Sequence, residues 1–210
     1  MNIKVCGITL LKQLQQLEGM DIDFAGFILS KSSPRYAGVT LSKKDVKAIE
    51  FDIKKVGVFV NQERDEILQA IDEYALDVVQ LHGEETPYLC EEISEEVEVI
   101  KAFCIGDDTN IDKEIEEYDD VCDYYLFDTK SGSDIRGGLG KKFDWNRLAK
   151  SKIEKPFFLG GGIGKEDAAK IKAIKHPDFF GVDVNSLFEK EPGVKDMALI
   201  LQFKLALKKR

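Results

Sequence analysis

The chain has 210 residues, of which 43% are hydrophobic and 33% charged, so it can bury a substantial core and is not compositionally disordered. Its formal net charge of −9 argues against a surface built to neutralise nucleic-acid phosphates. The longest apolar runs, such as residues 56–60, are far shorter than the roughly 20 residues of a membrane-spanning helix. These features predict a protein that folds on its own and has no nucleic-acid or membrane partner.

The amino terminus and the cysteines both favour a cytoplasmic protein. The chain enters a strand-like segment at Ile3 without the basic region and apolar core of a secretory signal. Its four cysteines, Cys6, Cys90, Cys104 and Cys122, are widely spaced and include no CxxC pair. We therefore expect reduced thiols, and we expect all but Cys6 to fill the core.

Short apolar, β-branched runs alternate with longer segments of helical period along the whole chain. Eight runs are predicted to be strands, at residues 3–6, 24–29, 55–60, 78–81, 99–103, 124–128, 157–159 and 179–182. This alternation predicts βα units around a parallel sheet. Eight strands without a linker rich in serine, glycine or proline favour a single-domain (β/α)₈ barrel over residues 1–210; the alternative is an open, doubly wound sheet.

The intervening segments predict helices with an apolar inner face. The first helix is predicted to begin after Thr9, a residue type that caps helices, and to end at Gly19. The third is predicted to begin after Asn61 and the last near Lys195. The residues predicted to face inward from the last helix are Met197, Ile200, Leu201 and Leu205.

In a barrel, the residues after the carboxyl ends of the strands form the active-site face. These positions are mostly polar, small or glycine. They are Cys6-Gly7-Ile8-Thr9, Ser33-Pro34-Arg35-Tyr36, Asn61, Gln80-Leu81-His82-Gly83, Asp128-Thr129, Gly160-Gly161-Gly162-Ile163 and Asp183-Val184-Asn185-Ser186.

Seven motifs carry a resemblance to a known family. They are KVCGIT from Lys4, GFILSKSSPRY from Gly26, VGVFVN from Val56, VQLHGEE from Val79, LFDT from Leu126, GGLGKKFDW from Gly137 and GVDVNSLFEKEPGVKD from Gly181. In order and spacing the chain resembles phosphoribosylanthranilate isomerase over essentially its whole length. The resemblance implies a (β/α)₈ barrel, a sugar-phosphate substrate, no cofactor and no metal. It also implies an Amadori rearrangement of N-(5-phosphoribosyl)anthranilate in tryptophan biosynthesis.

That reaction needs one acid and one base. It opens a furanose ring, which requires a proton on the ring oxygen, and then removes the proton at C2 of the resulting Schiff base. The resemblance implies that Cys6 is the general base and Asp128 the general acid. Because a free thiol has a pKa near 8.5, the site must lower the pKa of Cys6 or use a small thiolate fraction. The pKa of Asp128 must be raised.

Two further residues match family positions that bind substrate. Arg35 corresponds to the residue that meets the anthranilate part, and a guanidinium can bind a carboxylate through two parallel hydrogen bonds. Asp183 resembles a position near the amino group of the substrate, although an aspartate there can equally cap the following helix.

The loops after strands seven and eight are predicted to bind phosphate. Gly161 and Gly162, together with Asn185 and Ser186, lie where barrels of this kind hold phosphate through backbone N–H groups and a short helix amino terminus. A run of three glycines is a weak signal alone. Its position before a helix that is predicted to start near Lys165 favours phosphate binding.

The chain departs from the usual family pattern at Leu139, Leu187 and Gly160, and Leu187 stands beside the predicted phosphate loop where glycine is common. Residues 130–142 are rich in glycine and are predicted to form a mobile loop that orders over the substrate. His82 follows a strand, but the resemblance gives it no role, and a hydrogen-bonded structural histidine is expected.

Three other functions are less consistent with these residues. An indoleglycerol-phosphate synthase relies on a catalytic lysine and glutamates at strand ends, which are absent from the predicted strand ends here. A metal-dependent epimerase needs a histidine and aspartate cluster, and the chain has only His82 and His176. A silent sugar-phosphate sensor needs no thiol and acid together. The oligomeric state is left as monomer or homodimer.

Overall fold

The computed structural model describes residues 1–129 and 142–208. Within this part of the chain eight parallel strands form a closed barrel in sequence order, as predicted. They are β1 (Asn2–Cys6), β2 (Phe24–Ile28), β3 (Lys54–Phe59), β4 (Val78–Leu81), β5 (Glu98–Ile105), β6 (Tyr124–Thr129), β7 (Phe157–Leu159) and β8 (Phe179–Val184). A short antiparallel pair, β9 (Glu189–Glu191) and β10 (Val194–Lys195), follows the barrel. The predicted loop at 130–142 lies outside the described residues, apart from Lys142, and so does Leu139.

Helices and 3₁₀ segments connect the strands on the outside of the barrel. The α-helices are α1 (Leu11–Glu18), α2 (Lys43–Lys47), α3 (Arg64–Tyr74), α4 (Pro87–Ser94), α5 (Ile111–Ile115), α6 (Ala168–Lys172) and α7 (Met197–Lys208). Between β6 and β7 the described connection contains the 3₁₀ segment Trp145–Lys150. Among the described helices, none combines the length and the apolar character that crossing a membrane requires.

Two helix predictions are wrong in detail. Thr9 does not cap α1: Leu10 occupies the N-cap position, and the Thr9 hydroxyl donates a hydrogen bond to the Gly193 carbonyl at 2.6 Å. The threonine instead connects the loop after β1 to the β9–β10 turn through this hydrogen bond. Predicted to begin near Lys195, the last helix starts at Met197, because Lys195 belongs to β10.

The inner face of α7 also differs from the prediction. Ile200 is buried as predicted, but Leu201 and Leu205 are 40% and 51% exposed. Phe203 and Lys204 are buried in their place. The apolar residues of α7 lie on more than one side of the helix, so the spacing alone did not select the face that packs on the barrel.

Alternation along each strand divides the core into two layers. Ile3 and Val5 of β1 point outward and pack beneath the helices, whereas Cys6 points into the barrel. The barrel interior is filled by a second apolar cluster that also contains Phe24, Val56, Val58, Val78, Ile100, Ala102, Leu126 and Phe158. These side chains fill the middle of the barrel, so that a ligand can bind only at its ends.

The amino-terminal face of the barrel is held by a repeated contact. Asp23, Asp77 and Asp123 each precede an even-numbered strand, and each carboxylate accepts a backbone N–H from the preceding odd-numbered strand, at 2.8, 2.7 and 2.7 Å. These bonds satisfy strand-end donors that the parallel ladder leaves unpaired. The opposite, carboxyl-terminal end of the barrel is therefore the face on which chemistry is expected.

Candidate active site

Three of the predicted site residues project into the carboxyl-terminal end of the barrel. Cys6 ends β1, Asp128 lies near the end of β6, and Asp183 lies near the end of β8. Cys6 belongs to the interior cluster, Asp128 lies two residues after the interior residue Leu126, and Asp183 is in register with Lys4, two residues before Cys6. The three side chains therefore share the inner face. We call this end of the barrel the mouth.

Cys6 is almost fully enclosed, with 4% of its surface exposed. The chain turns sharply after it at Gly7, whose φ is +78°, and the N–H groups of Gly7 and Ile8 both donate to the Gly26 carbonyl at 2.9 Å. A Cβ at Gly7 would lie 2.8 Å from Asn185 Oδ1, so only glycine fits this turn. Burial raises the pKa of the Cys6 thiol, while the ammonium groups of Lys4 and Lys195 act against that rise.

Asp128 lies at the mouth beside His82. The Oδ1 atom of Asp128 accepts the Thr129 N–H at 2.6 Å, and its Oδ2 atom lies 3.5 Å from His82 Nε2. His82 Nδ1 in turn lies 3.1 Å from Gln80 Nε2. Burial raises the pKa of Asp128, and the Thr129 N–H and Lys4 oppose the rise. A raised pKa is what a carboxyl group needs to donate a proton near neutrality.

Asp183 is not a helix cap in this structure. Its Oδ1 atom accepts a hydrogen bond from Lys4 Nζ at 2.9 Å, inside the barrel. Burial raises the pKa of Asp183, Lys4 acts to lower it, and the nearby carboxyl of Asp128 adds to the rise. Asp183 therefore shares the mouth with both Cys6 and Asp128.

Arg35 is held by a carboxylate of the chain itself. Its Nε and Nη2 atoms contact both oxygens of Glu189, at 2.8 to 3.0 Å. Lys195 Nζ donates to the same Glu189 at 2.6 Å and to Asn185 Oδ1 at 2.7 Å. Burial acts to raise the pKa of Glu189, but Arg35 and Lys195 outweigh it and hold that pKa below its usual range. Burial lowers the pKa of Lys195.

The predicted phosphate residues form two adjacent turns. Gly161 and Gly162 both have positive φ angles, +82° and +65°, a conformation that glycine adopts without strain. Asn185 precedes the 3₁₀ segment Ser186–Phe188 after β8. The side chain of Leu187, the family departure beside this turn, is 43% exposed.

Gly161 also brings the loop after β7 close to the acid. A Cβ at Gly161 would lie 2.5 Å from the Thr129 backbone nitrogen and 2.7 Å from Asp128 Oδ1. The glycine thus permits contact between the predicted phosphate turn and the end of β6.

The remaining cysteines differ from one another. Cys90 and Cys122 are buried as predicted, and burial raises the pKa of their thiols to about 11 and about 12. Cys104 is exposed, so the prediction that it fills the core is wrong. Cys104 lies near the end of β5, in register with Asp128 of β6, where β5 extends beyond the packed part of the barrel.

Within residues 1–129 and 142–208, no group of three or more histidine, cysteine, aspartate or glutamate side chains is arranged to hold a metal ion. Among these described residues, the groups at the mouth include the Cys6 thiol, two carboxyl groups, an imidazole and two lysines. Fold and site together define a (β/α)₈-barrel enzyme whose side chains suit proton transfer.

Comparison with known proteins identifies the family. Residues 3–205 match the family model described as N-(5'-phosphoribosyl)anthranilate (PRA) isomerase. The N-(5'-phosphoribosyl)anthranilate isomerase of Parabacteroides distasonis is 38% identical over 205 residues, which cover 97% of this chain and 91% of that protein. A crystal structure of phosphoribosyl anthranilate isomerase from Thermotoga maritima is 32% identical and covers 99% of this chain and 98% of its own, with a TM-score of 0.86.

A further solved structure, of a phosphoribosyl anthranilate isomerase, is a complex with reduced 1-(o-carboxyphenylamino)-1-deoxyribulose 5-phosphate. It is 30% identical, covers 99% of this chain and 98% of its own, and has a TM-score of 0.79. The chain belongs to the N-(5'-phosphoribosyl)anthranilate isomerase family. It is an isomerase of tryptophan biosynthesis, as its motifs implied.

Several residues of the site were not predicted from the sequence. Lys4, Glu189 and Lys195 stand inside motifs that carried the resemblance, but no role followed for them. The available signal for Lys4 was its parity: it lies two residues before Cys6 on a short strand, and so shares the inner face. His82 was expected to be structural, and it lies next to the predicted acid.

Proposed function

We propose that this isomerase rearranges N-(5'-phosphoribosyl)anthranilate with Cys6 as general base and Asp128 as general acid. The observation that carries the proposal is the convergence of a thiol and a carboxyl, from strands that are not neighbours, on one enclosed mouth. Burial raises the pKa of Asp128, which favours the protonated form that a general acid needs.

The proton transfers balance with these two groups. Asp128 donates its proton to the furanose ring oxygen, the C1–O bond breaks, and a Schiff base forms. The Cys6 thiolate then removes the proton from C2, and the electron pair of that C–H bond forms the enaminol that becomes the ketose. We propose that Asp183, whose charge acts on Cys6, accepts a hydrogen bond from the amino nitrogen of the substrate.

Arg35 is proposed to bind the anthranilate carboxylate. The contact with Glu189 uses two of the three guanidinium nitrogens and fixes the plane of the group, leaving N–H donors for a second carboxylate. The substrate therefore meets an arginine that is already oriented, which reduces the entropy cost of binding.

The phosphate is proposed to bind between the turns at Gly161 and Gly162 and at Asn185 and Ser186. The positive φ angles of the two glycines support this, since successive N–H groups in such turns form concave anion sites. Lys195 adds positive charge behind Asn185. With a net charge of −9, the chain relies on such local groups to attract an anion.

We further propose that the chain acts as a single catalytic domain in the cytoplasm, as a monomer or a homodimer, without a nucleic-acid or membrane partner. None of the four cysteines, all of which lie in the described residues, forms a disulfide, which is consistent with a reducing compartment. Light scattering on the purified protein would decide between the two oligomeric states.

The test of this function is turnover. Phosphoribosylanthranilate is generated in place from anthranilate and an activated ribose phosphate, and the loss of its fluorescence is followed after the protein is added. We expect loss of fluorescence in proportion to protein concentration, and loss of that activity in Cys6→Ala. A purified, folded protein that binds the product analogue but leaves the substrate unchanged would contradict the proposal.

A further inference from the structure

A lysine without a role in the proposed proton transfers lies beside the thiol, inside the barrel. Lys4 is fully buried, at 0% exposure, and stands two residues before Cys6 on the same inner face of β1. A buried lysine is costly unless its charge is compensated. Among the described residues, the carboxylate that pairs with Lys4 is Asp183, at 2.9 Å, across the β1–β8 ladder where Lys4 and Asp183 are in register.

The ammonium of Lys4 and the Cys6 thiol also lie beside the same backbone position, Gly26. A Cβ on Gly26, the β2 residue in register with Cys6, would lie 3.0 Å from Cys6 Sγ and 3.2 Å from Lys4 Nζ. The two atoms therefore occupy the space that a side chain at position 26 would fill. At this separation the positive charge of Lys4 acts on the thiol and favours its ionised form. Glycine at position 26 leaves the room in which a thiolate and an ammonium can meet.

We propose that Lys4 is a positioning residue for the Cys6 base: its ammonium supplies the positive charge that balances the Cys6 thiolate. Asp183 limits this effect because it competes for the same ammonium. The proposal rests on the proposed function in one respect, the assignment of Cys6 as the base. The contact itself does not depend on that assignment.

The charges around the thiol explain why a cation is needed. The charged groups that act on Cys6 are Lys4 from its own strand, Asp183 from β8 and Lys195 from β10. Burial is the largest influence and disfavours the thiolate, Asp183 disfavours it further, and the two lysines favour it. The pKa of Lys4 itself is raised: burial lowers it, but the nearby Asp183 and Cys6 outweigh burial. Lys4 therefore stays charged while the thiol ionises.

The experiment measures the thiolate of Cys6 directly, by the rate of alkylation with iodoacetamide at fixed pH. The background is Cys104→Ser, because Cys104 is the exposed thiol and would otherwise consume reagent, whereas Cys6, Cys90 and Cys122 are all buried. Peptide mass spectrometry assigns the label to Cys6. Two variants and one control are compared, namely Lys4→Met, Asp183→Asn and Lys101→Met.

The expected changes have opposite signs. An opposite charge close to a titrating group shifts its pKa by about 1–3 units, so Lys4→Met should slow alkylation at pH 8 by at least about tenfold. Loss of packing alone would open the site and accelerate labelling. Asp183→Asn should accelerate it severalfold, because Lys4 is then left with the thiol as its partner. Lys101→Met removes another buried lysine, paired with Glu85 at 2.8 Å, and should leave the rate unchanged.

Turnover gives the second readout. With Lys4→Met, the alkaline limb of kcat/KM should move to higher pH and the plateau should fall, while the melting temperature reports any loss of folding. An unchanged alkylation rate in Lys4→Met, or changes of the same sign in Lys4→Met and Asp183→Asn, would overturn the proposal. If Lys4→Met does not fold, the sign for Asp183→Asn decides. Full activity of Cys6→Ala would instead contradict the base assignment and leave the Lys4–Cys6 contact standing.

Discussion

Replacing Asp128 by asparagine separates substrate binding from chemistry. The amide oxygen can keep the hydrogen bond that Oδ1 accepts from the Thr129 N–H at 2.6 Å, and the side chain keeps nearly the same shape beside His82. What it loses is the acidic proton. General acid catalysis contributes about 10²–10⁴-fold, so kcat should fall by that factor while the affinity for a product analogue changes little.

The pH profile sharpens this prediction. The active enzyme needs Cys6 ionised and Asp128 protonated, one proton on the pair. Below the lower apparent pKa of the pair both groups are protonated, and above the higher one neither is, so kcat/KM of the wild type is bell-shaped. The ordinary pKa of a thiol lies well above that of a carboxyl group and burial raises the pKa of both, so the resting pair carries its proton mainly on Cys6. The active arrangement is then a constant, small fraction between the two limbs.

In Asp128→Asn only the thiol titrates, so the residual rate should rise with pH and then level off, without an alkaline limb. The assay is the initial rate of fluorescence loss between pH 5 and 10, with a product analogue titrated in parallel. Near-normal turnover, or an intact alkaline limb in the variant, would refute the assignment of Asp128 as the acid.

The stability of the same variant gives an independent check. A carboxyl group whose pKa is raised by burial adds stability below its unfolded pKa and loses that contribution as pH rises through its folded pKa. At pH 7 the Asp128 carboxylate therefore destabilises the fold, and Asp128→Asn should melt at a higher temperature than the wild type. The difference should shrink as the pH approaches about 4.

Three further substitutions test the rest of the mouth. Cys6→Ala should fold but lose about 10²–10⁴-fold in kcat, whereas replacing the buried Cys90 of α4 by alanine should leave kcat nearly unchanged. If Cys6→Ala keeps more than about a tenth of the wild-type activity, Cys6 is not the general base. Arg35→Lys keeps the charge but loses the planar guanidinium, so KM should rise while the affinity for a bare sugar phosphate is unchanged. Equal weakening of substrate and sugar-phosphate binding would show that Arg35 does not bind the anthranilate carboxylate. Gly161 has a φ of +82°, and a Cβ there would lie 2.5 Å from a backbone nitrogen, so Gly161→Ala should weaken the binding of inorganic phosphate by about tenfold or more. The matched control is Gly160→Ala, whose added Cβ would have its nearest neighbour at 3.3 Å. Equal effects of the two substitutions would show that the turn at Gly161 does not bind phosphate.

The barrel was predictable because strand identity is encoded locally. The predicted strand at 78–81 coincides with β4 and that at 157–159 with β7. Such short, mostly apolar runs are typical of buried parallel strands and can be recognised without information from the rest of the chain. The catalytic face followed from the fold alone, since parallel strands bring their carboxyl ends to one side.

What the sequence did not predict depends on contacts between distant residues. Lys4 meets Asp183 across 179 positions, and Arg35 meets Glu189 across 154. Neither contact can be recognised from the local periodicity of the sequence. Thr9 illustrates the same limit, because a hydroxyl suited to capping a helix bonds the Gly193 carbonyl, 184 positions away. Tertiary contacts override local preference at such places.

The central claim is that Cys6 and Asp128 together move the protons of the isomerisation. The most direct test is single-turnover stopped flow with enzyme in excess over phosphoribosylanthranilate, comparing the wild type with Cys6→Ala and Asp128→Asn. Binding is read from the early change in substrate fluorescence, and chemistry from its subsequent loss. The account predicts that all three proteins bind and that only the wild type completes the loss at its normal rate. If either variant converts bound substrate within tenfold of the wild-type rate, that residue is not part of the catalytic pair.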